Sequence, residues 1–244
     1  MGVTARTALV TGAGSGIGLG VARVLAEKGF RLALVGRDES KLEQARASLG
    51  AAGSTTLIAP CDVADRQSVG TVVEKVLGEF GSIDVLICNA GTNVRHRGLE
   101  VLEPSDWDRM IATNLTGAYN LVHFVLPSMR KNGGGLIVQI CSIAGIRASK
   151  LGGAGYSASK FGQSALGLCL GREEGPNGIR STVIYPGEVN TPILDARPVA
   201  VPQERKDVIL QPEDVAAAVK FLVDLHPRAH VAELVITPTV DDFF

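Results

Sequence analysis

Short apolar runs alternate with longer amphipathic stretches along most of the chain. The runs have the length and composition of strands, and the stretches between them have the pattern of helices. The predicted strands are residues 7–11, 31–35, 55–59, 84–88, 136–141 and 180–185, with an edge strand at 234–238. Such alternation produces a parallel sheet covered on both faces. The pattern therefore predicts a doubly wound α/β Rossmann fold with seven strands in a single domain, residues 1–244.

Prolines mark the start of two helices. Pro104 opens a long helix that runs toward residue 131, and Pro212 opens a helix over 215–225. The segment 188–211 contains three prolines and fits neither a helix nor a strand. We expect this segment, called the cover below, to lie over a site at the carboxyl ends of the strands.

The composition narrows the choice of partners. With 24 basic and 25 acidic residues the net charge is −1, which gives no electrostatic basis for binding nucleic acid or a membrane surface. No apolar run approaches the ~18 residues of a membrane span, and the first strand begins too early for a signal sequence. The four cysteines form no CxxC motif, so neither zinc nor a disulfide framework is indicated. We expect a cytoplasmic protein without a metal, and we expect His226 and His230 to be surface residues.

A glycine-rich loop joins the first strand to the helix that follows it. Glycine lets the backbone turn tightly and approach a pyrophosphate, and the helix N-terminus offers unpaired N–H groups to it. The spacing between strand and helix makes this loop a predicted dinucleotide site rather than a turn needed only for packing. The predicted contacts in the loop are Gly12, Ser15, Gly16, Ile17 and Gly18.

The end of the second strand indicates which dinucleotide is preferred. An acidic residue at this position would bind the ribose 2′-hydroxyl of NAD, but the chain has Arg37 there. Because a guanidinium suits a 2′-phosphate, we predict NADP, with NAD as the alternative. Asp38 follows immediately, and it either reaches the ribose or starts a helix. We favour the helix-start role.

Two further strand ends contribute to the predicted cofactor site. Asp62 either accepts a hydrogen bond from the adenine or forms an Asx turn, and Val63 follows it. Asn89, Ala90 and Gly91 end the fourth strand, where small residues allow close approach and the Asn side chain can tie neighbouring strands together.

Ser142, Tyr156 and Lys160 are the predicted catalytic groups. Tyr156 and Lys160 are four residues apart, so a helix places them on one face, and the ammonium is expected to lower the pKa of the phenol. A phenol of lowered pKa exchanges a proton with a carbonyl or alcohol near neutral pH. Ser142 ends a strand at the same sheet edge and is expected to hold the substrate oxygen.

The chain resembles the short-chain dehydrogenase/reductase family over nearly its whole length. The motifs that carry the resemblance are TGAGSGIG at 11–18, NAG at 89–91, Asn114, Ser142, YSASK at 156–160 and PGEVNT at 186–191. The resemblance implies that Asn114 bends its helix and links Lys160 to solvent through a water, which completes a tetrad. It also implies that Lys160 bonds the nicotinamide ribose and that Pro186, Gly187, Val189 and Thr191 lie along the cofactor.

The substrate is less closely specified. Within the resemblance, a 3-oxoacyl thioester on an acyl carrier protein is the leading substrate, and a 3-hydroxy acid such as serine is the alternative, because residues 233–239 lack the glycine-rich ending of 3-oxoacyl reductases. Arg95, His96 and Arg97 either meet a carboxylate or phosphate or form a solvated loop, with the loop favoured. Ile193 and Leu194 are candidates for an apolar pocket wall.

Two expectations concern assembly and activity. The helix from 156 to 172 is apolar on more than one side, which predicts burial against other copies of the chain in a homotetramer, with a dimer as the alternative. A catalytically idle, redox-sensing NADP binder is the competing function. We place it second because Tyr156 and Lys160 are both present.

Overall fold

A seven-stranded parallel sheet forms the centre of the structure, a computed structural model that describes residues 5–241. The spatial order is β3-β2-β1-β4-β5-β6-β7, and each neighbouring pair is parallel. The strands are β1 (Thr7–Thr11), β2 (Arg31–Gly36), β3 (Leu57–Pro60), β4 (Val85–Cys88), β5 (Gly135–Ile140), β6 (Ile179–Pro186) and β7 (Glu233–Ile236). From β1, the strands β2 and β3 are added on one side and the strands β4 to β7 on the other. The change of side falls between β1 and β4, and doubly wound sheets bind ligands at such a point. The predicted fold class is confirmed.

Helices cover both faces of the sheet. They are α1 (Gly16–Glu27), α2 (Glu39–Ser48), α3 (Arg66–Phe80), α4 (Pro104–Ile111), α5 (Gly117–Lys131), α6 (Ala154–Glu174), α7 (Gln203–Lys206) and α8 (Pro212–Asp224). Successive side chains of β1 point to opposite faces. Val10 packs in a core with residues of α1, α2 and α8, and Leu9 packs in a second core with residues of α3 and α5. Among residues 5–241, no helix is long and apolar enough to cross a membrane.

The third strand begins later than the sequence predicts. A 3₁₀ helix occupies Gly50–Thr55, and β3 begins at Leu57. The hydroxyls of Ser54, Thr55 and Thr56 donate to carbonyls of Ala51 or Ala52. Hydroxyl side chains that bond the nearby backbone in this way favour a turn over a strand.

The long helix predicted from Pro104 is interrupted. Between α4 and α5 lies one π-helical stretch, Ala112–Thr116, with Asn114 at its centre. Single π turns inside helices concentrate at functional sites. The interruption is consistent with the bend that the family resemblance implies for Asn114.

The cover is irregular, as predicted, but it is tied down. It contains a short 3₁₀ helix, Pro192–Ala196, and the single turn α7. A parallel bridge joins Val189 to Leu210, and the amide of Leu210 donates to the carbonyl of Glu188. The two ends of the cover are therefore fastened to each other at the carboxyl edge of the sheet.

Candidate active site

A cleft of about 580 Å³ opens at the carboxyl ends of β1, β4, β5 and β6. It brings together residues from all parts of the chain. The glycine loop, the segment 89–91 and the motif at 186–191 contribute one side of the wall, and Ser142, Tyr156 and Lys160 line it as well. Residues predicted as a cofactor site and as a catalytic group thus share one cavity.

The glycine loop has a shape that only glycine permits. Gly12 and Gly16 have φ angles of +64° and +53°. A Cβ added at Gly12 would lie 2.7 Å from Nδ2 of Asn89, and one added at Gly18 would lie 2.3 Å from the carbonyl oxygen of Gly12. Gly18 therefore packs beneath the loop, whereas Gly12 and Gly16 line the cleft.

The first turn of α1 faces this cleft with its backbone N–H groups. Ser15 is the N-cap residue, and its side chain makes no capping hydrogen bond. Ser15, Gly16 and Ile17 all line the cleft. Open N–H groups at a helix N-terminus beside a close-approaching backbone form a cradle for phosphate, so the residues present fit a dinucleotide.

Asn89 ties β1 to β4, as predicted. Its side-chain Nδ2 donates to the carbonyl of Thr11 at 2.8 Å, and its backbone N–H donates to Oγ1 of Thr11 at 3.0 Å. The Thr11 hydroxyl in turn donates to the carbonyl of Ile87. These bonds fix the ends of two strands on which the cleft rests.

Arg37 and Asp38 have separate roles. Asp38 is the N-cap of α2, and its carboxylate accepts a hydrogen bond from the amide of Lys41 at 3.1 Å. The favoured helix-start role of Asp38 is confirmed. Arg37 is exposed, and within the part of the chain that the structure describes it makes no ion pair. Its guanidinium is accessible at the end of β2, and the phosphate contact stays a prediction.

Asp62 and Val63 lie after β3. The Asp62 carboxylate accepts a hydrogen bond from the amide of Ala64 at 3.0 Å, which is the Asx turn considered as one of its two roles. The adenine contact stays a prediction. Val63 is buried, and its carbonyl accepts a hydrogen bond from Asn120. It therefore helps to hold the strand end in place.

The Ser142 hydroxyl lies near the phenol of Tyr156 and acts to lower its pKa by hydrogen bonding. Oγ of Ser142 also accepts a hydrogen bond from the amide of Ala144 at 3.1 Å, which fixes the side chain at the end of β5. Tyr156 comes from the first turn of α6. A hydroxyl and a phenol so arranged can hold one substrate oxygen between them.

Lys160 is buried behind the phenol. Its ammonium donates to the carbonyl of Ile140 at 3.1 Å and to Oε1 of Gln163 at 2.8 Å, and it lies 5.8 Å from the centroid of the Tyr156 ring. Burial lowers the pKa of the Lys160 ammonium. Gln163 was not predicted, because a glutamine in a helix carries no sequence signal of its own.

The Tyr156 pKa is raised in this structure rather than lowered as expected, and the contribution of Lys160 to it stays a prediction. Burial is the largest influence and raises the pKa of the phenol to about 12. The Ser142 hydrogen bond and the positive charge of Arg97 oppose that rise. Arg97, from a different part of the chain, is thus a cation that counteracts the effect of burial.

Asn114 connects three elements. Its Oδ1 accepts from the amide of Thr92 at 2.7 Å, and its Nδ2 donates to the carbonyl of Thr92 and to Oγ of Ser159 at 2.9 Å. A Cβ on Gly91 would lie 3.5 Å from Oδ1 of Asn114 and 3.6 Å from Nζ of Lys160. Asn114 and Lys160 therefore both approach Gly91, and the water link between them stays a prediction.

The basic cluster 95–97 is split by the fold. Arg95 and His96 are exposed, as a solvated loop requires, but Arg97 is buried and lines the cleft. Ile193 and Leu194 line it too, in accord with their proposed place in an apolar wall. His226 and His230 are exposed, and no metal-binding group of three ligands occurs within residues 5–241.

Sequence reasoning missed an ionic cluster at the mouth of the cleft. Glu188 pairs with Arg197 and with Arg205, and Arg205 also pairs with Asp241. All four residues line the cleft. Their separation along the chain leaves no local pattern that could have revealed the cluster.

Comparison with known proteins places the chain in a family. The model of the short chain dehydrogenase family matches residues 6–200. An uncharacterized oxidoreductase of Staphylococcus aureus is 31% identical over 236 residues, which cover 97% of this chain and 98% of the relative. The chain belongs to the short chain dehydrogenase family and is an NAD(P)-dependent dehydrogenase or reductase.

Solved structures show the same fold with different substrates. A 3-ketoacyl-(acyl-carrier-protein) reductase from Brucella melitensis complexed with NADH is similar, with a TM-score of 0.87, 28% identity and coverage of 95% of this chain and 96% of that one. The closed form of serine dehydrogenase complexed with NADP⁺ has a TM-score of 0.88, 28% identity and coverage of 96% of each chain.

Proposed function

We propose that the protein interconverts a ketone and a secondary alcohol by NADP-dependent hydride transfer. The observation that carries this proposal is the convergence of Ser142, Tyr156 and Lys160 in the cleft that the glycine loop lines. The intact site opposes the competing idea of an idle NADP binder. Turnover of any ketone by the protein, lost in Tyr156→Phe, would exclude that idea.

Each residue on the cofactor side of the cleft has a proposed contact with the dinucleotide. The amides of Ser15, Gly16 and Ile17 would hold the pyrophosphate, and Arg37 would meet the 2′-phosphate. Val189 and Thr191, which line the cleft together with Tyr156 and Lys160, would contact the nicotinamide end. NAD is the alternative, and the similar structures include one complex with NADP⁺ and one with NADH.

The proton is handled by the chain's own side chains. When bound, NADPH would supply the hydride for the carbonyl carbon, and NADP⁺ would accept it in the reverse direction. Tyr156 gives its phenolic proton to the carbonyl oxygen while Ser142 holds that oxygen by a hydrogen bond. Lys160 is held behind the phenol by its hydrogen bonds to Ile140 and Gln163.

The charges of the cleft favour a substrate that bears an anion. Four cations line it, Arg97, Lys160, Arg197 and Arg205, against two carboxylates, Glu188 and Asp241, a difference of +2. A free 3-oxo acid or 3-hydroxy acid would place its carboxylate in this field. The 3-oxoacyl thioester of an acyl carrier protein, which the sequence alone places first, becomes the second candidate on this ground and is supported by the apolar wall of Ile193 and Leu194.

The test is a substrate panel read by NADPH or NADH absorbance. It contains acetoacetate, acetoacetyl-CoA and simple ketones, with serine and 3-hydroxybutyrate in the oxidative direction. Preference for acetoacetate and 3-hydroxybutyrate supports the free acid, whereas preference for the thioester reverses the order of the two candidates. No turnover of any compound would count against an oxidoreductase of this class.

The proposed assembly is a homotetramer, with a dimer as the alternative. An apolar stripe on α6, made of Ala158, Phe161, Ala165 and Cys169, is exposed in the single chain. Burial of this stripe against another copy would satisfy the helix. Light scattering on the purified protein distinguishes the two states.

All four cysteines are free, which supports a cytoplasmic location.

A further inference from the structure

Arg97 joins three walls of the cleft through one guanidinium. Its Nε donates to the carbonyl of Val94 at 2.7 Å, its Nη1 to the carbonyl of Leu151 at 2.9 Å and its Nη2 to the carbonyl of Ala196 at 2.5 Å. Val94 belongs to the loop after β4, Leu151 to the segment before α6, and Ala196 to the cover. The side chain is only 7% exposed.

Gly153, which has no side chain, leaves the space that Arg97 occupies. Gly153, the N-cap of α6, has a φ of +79°, and a Cβ there would lie 2.8 Å from Cβ of Arg97. Arg97 therefore packs directly against the residue that begins the helix. Tyr156 lies three residues further along the chain, in the first turn of the same helix. A displacement of Arg97 would therefore displace the helical turn that carries the phenol.

The charge of Arg97 is not neutralised by a carboxylate. No ion pair of Arg97 occurs within residues 5–241, and Glu188 is engaged by Arg197 and Arg205. Burial and the neighbouring charge of Arg197 lower the pKa of Arg97, but a guanidinium stays protonated in the physiological range. Three carbonyl dipoles thus hold a lasting positive charge in the wall.

We propose that Arg97 is a positioning residue of the active site: it holds the cover closed over the cleft, and it keeps a fixed positive charge near Tyr156. The first role stands on the hydrogen bonds alone. The second rests on the proposed function, because it concerns proton transfer by Tyr156.

The charged and titratable groups around Tyr156 make the second role specific. Cys141 at the end of β5 would raise the pKa of Tyr156 if it ionised, but burial raises the pKa of that thiol and keeps it neutral. Lys160 on α6 is directed toward Ile140 and Gln163. Arg97 on the loop after β4 lines the same cleft as Tyr156, and its charge acts to lower the pKa of the phenol.

Replacing Arg97 with lysine separates the closing role from the electrostatic role. Arg97→Lys keeps the positive charge but cannot reach three carbonyls at once, because an ammonium lacks the planar fork of a guanidinium. Arg97→Met removes both the charge and the bonds while it preserves an apolar stem of similar length. Arg95→Met is the matched control, since Arg95 lies two residues away and is exposed.

The first experiment follows the cover by limited trypsin digestion of the ligand-free protein at a temperature well below its melting point. Mass spectrometry reads cleavage after Arg205 and Lys206, both inside the cover. We expect cleavage at least about tenfold faster in Arg97→Lys and Arg97→Met than in wild type, and no change in Arg95→Met. Equal rates in all four proteins would overturn the closing role.

The second experiment measures kcat/KM against pH for oxidation of a neutral secondary alcohol, so that no substrate carboxylate can bind Arg97. Loss of the cation destabilises the phenolate, so the acidic limb of Arg97→Met should move to higher pH by about half a unit or more. Arg97→Lys should retain the wild-type limb. An unmoved limb in Arg97→Met would overturn the electrostatic role.

Failure of the proposed function leaves a distinct result. If the wild-type protein oxidises no alcohol and reduces no ketone, the proposed function fails, while the trypsin digestion still decides the closing role of Arg97.

Discussion

The two sides of the cleft are held together by different forces. On the cofactor side the backbone is closely packed: an added Cβ would lie 2.7 Å from the Asn89 side chain at Gly12 and 2.3 Å from the Gly12 carbonyl oxygen at Gly18. On the substrate side, long side chains join distant segments. Arg97 bonds carbonyls in three segments, and Glu188 pairs with two arginines of the cover.

This difference separates positions that admit only one residue type from positions where substitution can adjust the protein. A steric requirement admits one residue type, because interiors are close-packed and the backbone has no room to move. A hydrogen bond to a carbonyl depends on the partner present and contributes modestly, and a partly buried ion pair repays the loss of solvent only while its partner is in place. We expect substitutions on the cofactor side to damage the whole protein and those on the substrate side to change its specificity and closure.

The largest expected effect lies where the two sides meet. Tyr156→Phe removes the transferable proton, and kcat should fall by about 10²- to 10⁴-fold. NADPH affinity, read by fluorescence, and thermal stability should change little because the ring is retained. Tyr119→Phe, at an exposed tyrosine, is the control. Turnover close to that of wild type in Tyr156→Phe would remove Tyr156 from the mechanism.

The next effect tests the steric character of the cofactor side. Gly18→Ala places a Cβ 2.3 Å from the carbonyl oxygen of Gly12 and should lower the free energy of unfolding by at least about 2 kcal/mol. Gly78→Ala is the matched control, because its Cβ would meet nothing within 4 Å and α3 should gain up to about 1 kcal/mol. Urea denaturation measures both. A similar stability for the two variants would show that the loop can relax.

A smaller effect concerns an adjustable position at the rim of the cofactor side. Arg37→Ala should weaken NADP binding by about 10- to 100-fold, because a charged hydrogen bond to the 2′-phosphate is lost, while NAD binding is unchanged. Arg46→Ala on α2, which loses only its pair with Glu43, should alter neither. Titration calorimetry with both cofactors gives the comparison. Equal losses for NADP and NAD would contradict a phosphate contact.

The smallest expected effect is the pH dependence of reduction. With a pKa of about 12, the phenol of Tyr156 stays protonated and remains a proton donor throughout the neutral range. Reduction should therefore vary less than about twofold in kcat/KM between about pH 6 and 10, whereas oxidation, which needs the phenolate, should rise with pH. Stopped-flow NADPH absorbance measures both directions. A decline of reduction centred near neutral pH would show that the phenol is more acidic than its burial indicates.

Local patterns predicted the cofactor side better than the substrate side. The fingerprint around Gly12, the tie made by Asn89 and the cap made by Asp38 all involve short spacings or strand ends, and the structure shows each of them in its expected place. The start of β3 was misplaced because the hydroxyls near Thr55 bond the local backbone. The π turn at Asn114 was implied only by the family resemblance, since nothing in its neighbours marks it.

The sequence by itself determined the fold class, and it supplied the glycine loop and Ser142, Tyr156 and Lys160 as candidate site residues, because periodicity and motif spacing are properties of a few neighbouring residues. Only the tertiary structure brought Arg97 into the cleft beside Tyr156 and bonded it to the cover. Arg97 is one of three basic residues in a loop, and its burial depends on carbonyls 54 and 99 residues away in the chain. Electrostatics and desolvation follow distances in space, and those distances exist only after the chain has folded.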